Sequence, residues 1–496
     1  MKKIEELFLG IIVSIFAFLR LPSLSEPYWY GDEGIYQTIG IALRQGRILY
    51  SEIWDNKPPV LYLIYALFNG DQFYVRLLSL IIGVGSVVVF YFLAKKLFKN
   101  LHSVFVSTAL FALMFALPVL EGNIANAENF MLLPIVAAFY SVITSSSTPI
   151  KSGSKNRFIF TFIAGLLMSF AFLIKIVAIF DMAALFVTLF SLRFLEDIHL
   201  TKHNIHSQIK NIINGLEQET VLVIGFIAPI IITILYFLFV EALPDFMRAS
   251  FAQNVGYVGY GNFFLFPMGF LYLKLALLLF LLLLIIRYRK NLGEPGVLIL
   301  AWLTFSVFNA SFSQRPYAHY ILVALPSFAL FAGYILDNKK LLKKLVPLLI
   351  IIAILVLQVF RLNFEKIVPY YENFLSFISN NKSVEAYQAF FDKNTPRDYV
   401  LADFIKSKTS DTESVYLWSD SAQIYSLSGK LPPGRYIVSY HVTFYPDATR
   451  ETREAIEKKK VKYIIQTKQG SQILQFLDNY ELKYKIEGVN IYERKS

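Results

Sequence analysis

Long apolar segments recur through the first two-thirds of the chain. A helix needs about 17–25 apolar residues to cross the ~30 Å hydrocarbon core of a bilayer. Eleven segments approach or reach this length, at 5–21, 73–94, 103–119, 130–146, 158–174, 176–192, 219–240, 263–286, 296–312, 319–336 and 344–361. Because hydrocarbon offers no partner for backbone N–H and C=O groups, such segments must be helical. The sequence therefore predicts a polytopic α-helical membrane protein with about eleven transmembrane helices.

The composition excludes several other classes of protein. Charged residues make up 17% of the 496 positions, whereas soluble domains are typically about 25% charged. The absence of cysteine excludes disulfide scaffolds, thiolate metal sites and a Cys nucleophile. A net charge of +11 is typical of basic cytoplasmic loops in a membrane protein, so we expect no nucleic-acid partner.

The basic residues fall mainly in alternate loops. With a cytoplasmic N-terminus, eighteen Lys and Arg lie in cytoplasmic loops and six in outer loops, which agrees with the positive-inside rule. No small-residue cleavage site follows the first segment, so we expect it to remain as a signal anchor. The pattern predicts a multi-pass plasma-membrane protein whose residues 362–496 lie outside the cytoplasm, after a transmembrane domain of residues 1–361.

The tail, 362–496, has a different pattern. Short apolar runs at 414–418 and 462–466 alternate with helical patterns at 398–408, 450–460 and 471–480. Such alternation indicates a small extracytoplasmic α/β domain.

The first outer loop, 22–72, is the most informative segment. A loop of this length is usually functional or disordered, and its Trp and Tyr content argues against disorder. Residues 34–47 carry apolar side chains at helical spacing, with Ile35, Ile39 and Leu43 on one face. We expect an amphipathic helix lying at the membrane surface.

An acidic pair precedes this helix. Asp32 and Glu33 stand where a helix N-terminus would keep them ionised, and a carboxylate in that setting can accept a proton from a substrate hydroxyl. The alternative is that Asp32 only caps the helix. Lys57, between Asp55 and a Pro-Pro pair, would be a cation at the membrane–water boundary, or a side chain that merely extends towards water.

Other polar residues of the predicted outer side are candidates for binding a phosphate or sugar. Lys175 interrupts the apolar stretch 158–192 and marks an outer hairpin tip. Arg315 and His319 would be one helical turn apart if their helix begins early, and both could then contact one phosphate. Glu128 could bind hydroxyls. The alternatives are a solvated turn for Lys175, interfacial anchors for Arg315 and His319, and a helix-start residue for Glu128.

Several motifs resemble one family of glycosyltransferases. They are Asp32-Glu33-Gly34-Ile35-Tyr36, Gly46 to Tyr50, Asp55-Asn56-Lys57-Pro58-Pro59 with Tyr62, Asn126-Ala127-Glu128-Asn129, and Arg315-Pro316-Tyr317-Ala318-His319-Tyr320. In order and sidedness they are similar to the protein-mannosyltransferase-like family 39 of the GT-C class, which uses dolichyl- or polyprenyl-phosphate sugars. The resemblance extends from residue 1 to about 340.

The resemblance implies a GT-C fold and an inverting sugar transfer on the outer face of the membrane. A hexosyl or pentosyl group would move from a polyprenyl-phosphate donor to a hydroxyl of a glycolipid, a cell-envelope glycan or a protein, as in protein glycosylation. Asp32 would be the general base, with Glu33 orienting the acceptor. The substrate-binding residues would be Asp55, Lys57, Asn126, Glu128, Lys175, Arg315, His319 and Tyr320.

The metal requirement and two other functions are left undecided by the sequence. Lipid A-modifying relatives commonly carry an acidic residue where this chain has Asn56, so we assign no metal ligand and leave a divalent cofactor undecided. His199, His203 and His206 are spaced as metal ligands but fall in a loop predicted to be cytoplasmic. A transporter or flippase of lipid-linked sugars, or a non-catalytic envelope-assembly protein, are the alternative functions.

Overall fold

A computed structural model describes residues 2–146, 155–200, 216–254, 262–263, 268–313, 315, 317–338, 358 and 362–495. The eleventh apolar segment, 344–361, lies outside the described residues except for position 358. The chain divides into two compact units. The helical unit comprises Met1–Leu21, Leu78–Tyr236 and Asn254–Ile367; the mixed unit comprises Pro22–Leu77, Phe237–Gln253 and Val368–Ser496. The predicted domain boundary at 361 stays a prediction.

Helices account for most of the described chain up to residue 338. They are α1 (Lys2–Arg20), α2 (Gly31–Arg44), α3 (Pro59–Leu67), α4 (Gln72–Leu97), α5 (Leu101–Ala116), α6 (Ala127–Ser146), α7 (Lys155–Ile174), α8 (Ile179–Leu200), α9 (Glu217–Phe239), α10 (Leu243–Met247), α11 (Gly269–Ser311), α12 (His319–Leu322) and α13 (Leu325–Asp337). A π-helical turn, Arg248–Ala252, follows α10.

Within the described ranges, six helices are long and apolar enough to cross a membrane by length and composition. They are Lys2–Leu24, Gln72–Leu97, Ala127–Thr144, Asn156–Ile174, Glu217–Phe239 and Gly269–Ser311. Three shorter apolar helices are Leu101–Ala116, Ile176–Ser191 and Leu325–Asp337. These helices coincide with the first ten predicted segments. The chain is therefore a multi-pass membrane protein, and the count of eleven spans remains a prediction.

Two breaks in the helices agree with the sequence pattern. Helix α11 is interrupted at Gly293, which has a φ of 67°, a left-handed conformation that glycine adopts without steric cost. This break separates the predicted segments 263–286 and 296–312. Helix α7 ends at Ile174, and Lys175 has extended backbone before the short 3₁₀ helix Ile176–Ala178. The prediction that Lys175 interrupts the long apolar stretch is therefore confirmed.

The tail contains a four-stranded sheet. Its strands are β1 (Val415–Trp418), β2 (Tyr463–Gln466), β3 (Tyr480–Ile486) and β4 (Val489–Arg494), in the order β1-β2-β4-β3. Strands β1 and β2 are parallel and the other two pairs are antiparallel. The helices of the tail are α14 (Ile367–Ile378), α15 (Val384–Phe391), α16 (Thr395–Lys408), α17 (Gln423–Ser428), α18 (Ser439–Phe444) and α19 (Ala448–Lys458).

The predicted strands and helices of the tail match these elements, with one exception. Residues 471–480 were expected to be α-helical, but Ser471–Phe476 is a 3₁₀ helix and β3 begins at Tyr480. Ile473 and Phe476 are buried there, and their spacing of three residues places both on one face of a helix with three residues per turn.

The helix predicted in the first outer loop is present as α2, and protein encloses most of it; its location at the membrane surface stays a prediction. It begins at Gly31, three residues before the predicted start, and its residues from Glu33 to Gly40 are buried. A Cβ atom on Gly34 would lie 2.6 Å from the backbone nitrogen of Gln423. On Gly40 it would lie 2.8 Å from the carbonyl carbon of Tyr65. The two glycines thus allow α17 and α3 to pack on opposite ends of the helix.

Candidate active site

Asp32 lies in the first turn of α2. The N-cap position is Tyr30, which makes no side-chain capping bond, so Asp32 is not the N-cap of this helix. Its side chain is 40% exposed, and its Oδ2 accepts a 3.1 Å hydrogen bond from the hydroxyl of Tyr36 one turn later. The amides at the helix start favour the ionised carboxylate. Asp32 therefore presents a negative charge that solvent can reach.

Lys57 lies between two carboxylates. Its Nζ is 3.7 Å from Oδ2 of Asp32 and 3.7 Å from Oδ2 of Asp55. It also lies 4.9 Å from the centre of the Tyr36 ring, within the range of a cation–π interaction. We call Asp32, Lys57 and Asp55 the open triad. In the open triad one cation is shared between two anions. Both distances from Lys57 Nζ to a carboxylate oxygen are longer than a hydrogen bond.

Tyrosine hydroxyls fix the loop that carries Asp55 and Lys57. Tyr62, in α3, donates a 2.8 Å hydrogen bond to Asp55 Oδ2 and accepts one of 3.1 Å from the Lys57 backbone N–H. The Tyr50 hydroxyl donates to the Lys57 carbonyl at 2.8 Å. Burial, and then the nearby Asp55, raises the pKa of Tyr62 well above its usual value. Tyr62 therefore remains a neutral donor that holds Asp55 in place.

Glu33 takes part in a different triad on the other side of α2. Arg76, in α4, contacts Glu33 through Nε at 3.0 Å and Nη2 at 2.5 Å. Its Nη1 lies 2.9 Å from Glu26. All three side chains are at most 1% exposed. We call Glu26, Arg76 and Glu33 the closed triad; it withdraws Glu33 from solvent.

The closed triad is completed by neutral donors. The Tyr370 hydroxyl of α14 donates to Glu26 Oε1 at 2.6 Å, and the Trp29 indole N–H donates to Oε2 at 2.9 Å. Buried ions are tolerated when such hydrogen bonds replace water. Sequence reasoning missed Arg76, although an arginine inside the apolar segment 73–94 was the available signal, because a charge there needs a protein partner.

The tail contributes His441 and Tyr440, which sequence reasoning also missed. His441, on α18, places Nε2 at 3.8 Å from Asp55 Oδ1 and is 3% exposed on its side chain. Burial lowers the pKa of His441 to about 4, although Asp55 acts in the opposite direction. Burial, with Asp32 and Asp55, raises the pKa of Tyr440 well above its usual value. No local pattern marks either residue, because their environment is created by tertiary packing.

A second set of polar residues lies in the helical unit. Lys175 pairs with Glu128 and its Nζ lies 4.6 Å from the ring centre of Tyr320. His319 Nδ1 is 2.8 Å from Oε2 of Glu121, which also accepts a 3.4 Å bond from the Asn126 amide. We call this set the interhelical cluster; its members are Glu121, Asn126, Glu128, Lys175, His319 and Tyr320. Five of the six were predicted from the sequence, and Glu121 was not.

Arg315 is not on the same helical turn as His319. Helix α12 begins at His319, so Arg315 precedes it and the expected one-turn spacing does not apply. Within the interhelical cluster each carboxylate has its own basic partner, Lys175 for Glu128 and His319 for Glu121.

The described residues do not form a set that fits a divalent metal ion. No group of three or more His, Asp or Glu side chains in these parts of the chain could hold one. Asp55 and His441 approach each other as a pair, and the residue after Asp55 is Asn56. His203 and His206 lie outside the described residues.

Comparison with known protein families supports the motif-based resemblance. Residues 51–247 match the family model of dolichyl-phosphate-mannose-protein mannosyltransferases. This range includes Asp55, Lys57, Asn126, Glu128 and Lys175. A search of curated proteins finds no match.

Solved structures show the fold. The structure of ArnT from Cupriavidus metallidurans bound to undecaprenyl phosphate superposes with a TM-score of 0.55 at 14% identity, covering 97% of each chain. The archaeal oligosaccharyltransferase AglB from Archaeoglobus fulgidus gives a TM-score of 0.49 at 11% identity, over 92% of this chain and 69% of AglB. The predicted resemblance to GT-C glycosyltransferases is confirmed, and the ArnT match gives this chain an ArnT-like fold.

Proposed function

We propose that this chain transfers a sugar from a polyprenyl-phosphate donor to an acceptor hydroxyl, with inversion and with Asp32 as the general base. The observation that carries the proposal is the open triad. It combines a solvent-accessible carboxylate at a helix N-terminus with a lysine 3.7 Å away. A base and a cation at one site are what an alcohol needs to displace a phosphate ester.

The reaction proceeds by a single displacement. The acceptor oxygen forms a bond to the anomeric carbon while the bond from that carbon to the phosphate oxygen breaks, and its electron pair leaves with the prenyl phosphate. The acceptor proton passes to Asp32. Lys57 keeps Asp32 ionised before transfer and stabilises the negative charge that develops on the phosphate. Attack opposite the leaving group inverts the anomeric configuration.

The choice of donor rests on the neighbours of this chain. The ArnT structure was determined with undecaprenyl phosphate, and the matching family is described as using dolichyl-phosphate-mannose. Both are compatible with a donor in which a sugar is linked to a polyprenyl phosphate. The sugar of such a donor can be a hexose or a pentose. The acceptor is a glycolipid, a cell-envelope glycan or a protein.

The residues of the interhelical cluster bind the donor in this proposal. Lys175 and His319 of the cluster, and Arg315 before α12, supply positive charge, while Asn126, Glu128 and Tyr320 offer hydrogen bonds and an aromatic face for a sugar. Lys175 already has a carboxylate partner in Glu128, so binding a phosphate would require Lys175 to exchange that partner.

Transfer by the purified protein tests the function directly. Protein reconstituted in lipid vesicles is incubated with a panel of polyprenyl-phosphate sugars together with glycolipid, cell-envelope glycan and protein acceptors, and release of polyprenyl phosphate is measured by mass spectrometry. The cell-envelope glycans and lipid-linked sugars of cells with and without the protein identify the acceptor. Transport of an intact lipid-linked sugar across the vesicle membrane, with no release of polyprenyl phosphate, would instead indicate a flippase.

The proposed outer location of the chemistry is tested by thiol labelling. The natural chain has no cysteine, so an introduced one is the only thiol. Cysteine at Ser410 or Asp447, both exposed, should react with a membrane-impermeant reagent in intact cells. Cysteine at the exposed Lys99, in a loop predicted to be cytoplasmic, should react only after permeabilisation. Labelling of Ser410 and Asp447 only after permeabilisation would place the tail inside and contradict the proposal.

A further inference from the structure

We propose that His441 is a positioning residue for sugar transfer, which stabilises Asp55 while Lys57 interacts with the leaving phosphate. The proposal rests on the function proposed above and deepens it by giving the tail a role in the transfer site. It depends on three observations: the packing of the imidazole, the two different environments of the Asp55 oxygens, and the sharing of Lys57.

The imidazole is held by packing on several sides. The Trp54 ring meets it edge-on at 5.0 Å between centres, and Tyr440 meets it at 4.6 Å. The start of α18 is fixed because the Ser439 N–H donates to the Ser419 carbonyl at 2.8 Å and the Ser439 hydroxyl donates to Asp420. This packing keeps the ring nitrogen facing Asp55.

The position of the proton on the ring follows from its neighbour. Asp55 in its ionised form can only accept hydrogen bonds, so the ring nitrogen that faces it, Nε2, carries the proton. Nδ1 is buried and has no hydrogen-bond partner among the described residues. Burial without a second partner disfavours the charged ring. His441 is therefore a neutral donor directed at Asp55.

The two oxygens of Asp55 are stabilised differently. Oδ2 accepts the hydrogen bond from Tyr62 and lies 3.7 Å from Lys57 Nζ. Oδ1 faces His441 at 3.8 Å, which is too long for a hydrogen bond. Contacts of this kind are often long without substrate and shorten in the reacting complex. The His441–Asp55 contact thus has room to shorten.

The change of charge during the reaction explains why the contact between His441 and Asp55 shortens. Lys57 is shared between Asp32 and Asp55 in the structure. When negative charge develops on the phosphate, Lys57 turns towards it and its contact with Asp55 weakens. A buried carboxylate that loses a cation needs another donor. His441 supplies an N–H to Oδ1, so Asp55 keeps a donor on each oxygen and the loop that carries Lys57 keeps its conformation.

Two substitutions separate positioning from packing. His441→Phe keeps an aromatic ring but removes the N–H, whereas His441→Gln places an amide N–H near the position of Nε2. We expect His441→Phe to lower kcat by about 10- to 100-fold, as expected for a lost hydrogen bond to a charged group. KM for donor and acceptor should change little. His441→Gln should restore most of kcat.

The matched control is Tyr436→Phe. Tyr436 packs on the same tryptophan, Trp54, at 5.8 Å between ring centres, and kcat should be unchanged. Near-wild-type kcat in His441→Phe, failure of His441→Gln to restore kcat, or an equal loss in Tyr436→Phe would each overturn the role of His441. These outcomes leave the proposed function intact if the wild-type protein transfers sugar. A wild-type protein that releases no polyprenyl phosphate from any donor of the panel would overturn the proposed function and this role with it.

Discussion

The two triads of the mixed unit have the same composition and opposite environments. Each places one cation between two carboxylates. In the closed triad, Arg76 contacts both acids at hydrogen-bond distance and no member is more than 1% exposed. In the open triad, Lys57 is 3.7 Å from both acids and Asp32 is 40% exposed. Arginine makes fixed bidentate contacts, whereas lysine is a mobile point charge.

The comparison shows how two adjacent carboxylates acquire different environments. Asp32 and Glu33 are consecutive in α2, so their side chains point about 100° apart around the helix. One direction leads to solvent and Lys57; the other leads into the protein and Arg76. A closed triad costs much to break and exchanges no proton with solvent, so it suits structure. An open triad can accept both a proton and a ligand, so it suits chemistry.

Asp32→Asn should have the largest effect on the reaction. It removes the proton acceptor but keeps the shape, so transfer should fall by about 10²–10⁴-fold while the thermal unfolding temperature stays near that of wild type. Asp71→Asn, an equivalent substitution at an exposed position of the same loop, should leave the rate unchanged. Wild-type turnover in Asp32→Asn would contradict Asp32 as the general base and make Glu33 or Glu128 the next candidate.

Arg76→Met should affect stability instead of the reaction. It leaves two buried carboxylates without their cation, and breaking a buried ion pair typically costs about 3–5 kcal/mol. Thermal unfolding in detergent, followed by tryptophan fluorescence, should show a large loss. Arg76→Lys should recover part of it.

Glu33→Gln tests the same triad from its acidic side. It should lower stability less than Arg76→Met, because an amide can still accept a hydrogen bond from Arg76. The turnover of the folded fraction should remain close to wild type. Turnover falling as far as in Asp32→Asn would show that Glu33 acts on the acceptor, and the contrast between the triads would be lost.

Lys57→Ala should reduce the rate by about 10²–10³-fold, the usual effect of removing one group that stabilises charge in the transition state. Stability should fall less than in Arg76→Met, since Lys57 lies 3.7 Å from each of its two acids and one of them, Asp32, is 40% exposed. Lys99→Ala, at an exposed loop lysine, is the control. Unchanged kinetics in Lys57→Ala would assign the residue to the membrane–water boundary only.

The smallest expected effect is a dependence of the protein's stability on pH, caused by His441 beside the open triad. Burial lowers the pKa of His441 from 6.5 to about 4, so the unfolded chain binds a proton at higher pH than the folded chain. The part of the free energy of unfolding that depends on a neutral His441 is fully present above pH 6.5 and is lost as the pH falls towards 4. The unfolding temperature should therefore drop less on acidification in His441→Phe than in wild type. An identical drop in both proteins would contradict a neutral, buried His441.

Sequence patterns predicted the elements better than their environments. The apolar segments 158–174 and 176–192 and the break at Lys175 are local signals, because helix formation in a membrane depends on the segment itself. The burial of α2 was not predictable from its apolar stripe, because Gly34 and Gly40 allow two other helices to cover it. The apolar periodicity of a sequence shows which face of a helix can be buried. It does not show how many other helices pack against that helix.

The candidate site, too, could be predicted only in part from local sequence patterns. Asp32 lies in one motif of the loop 22–72 and Asp55 and Lys57 lie in another, and the family resemblance assigned all three to catalysis or substrate binding. Arg76 was hidden in an apolar segment, and His441 comes from the tail, where nothing local distinguishes a histidine beside a carboxylate from one on the surface. Contacts between distant parts of a chain require the fold, since one sequence alone contains no record of them.

The order of strands in the sheet has a consequence for the making of this protein. β4, Val489–Arg494, lies between β2 and β3 rather than at an edge. β2 therefore lacks an antiparallel neighbour until residue 494 has been synthesised. The ribosome produces Asp32 and Lys57 hundreds of residues before His441 and β4 exist. The segment that carries the proposed base is thus made early, but the mixed unit can only be assembled after β4 has been synthesised.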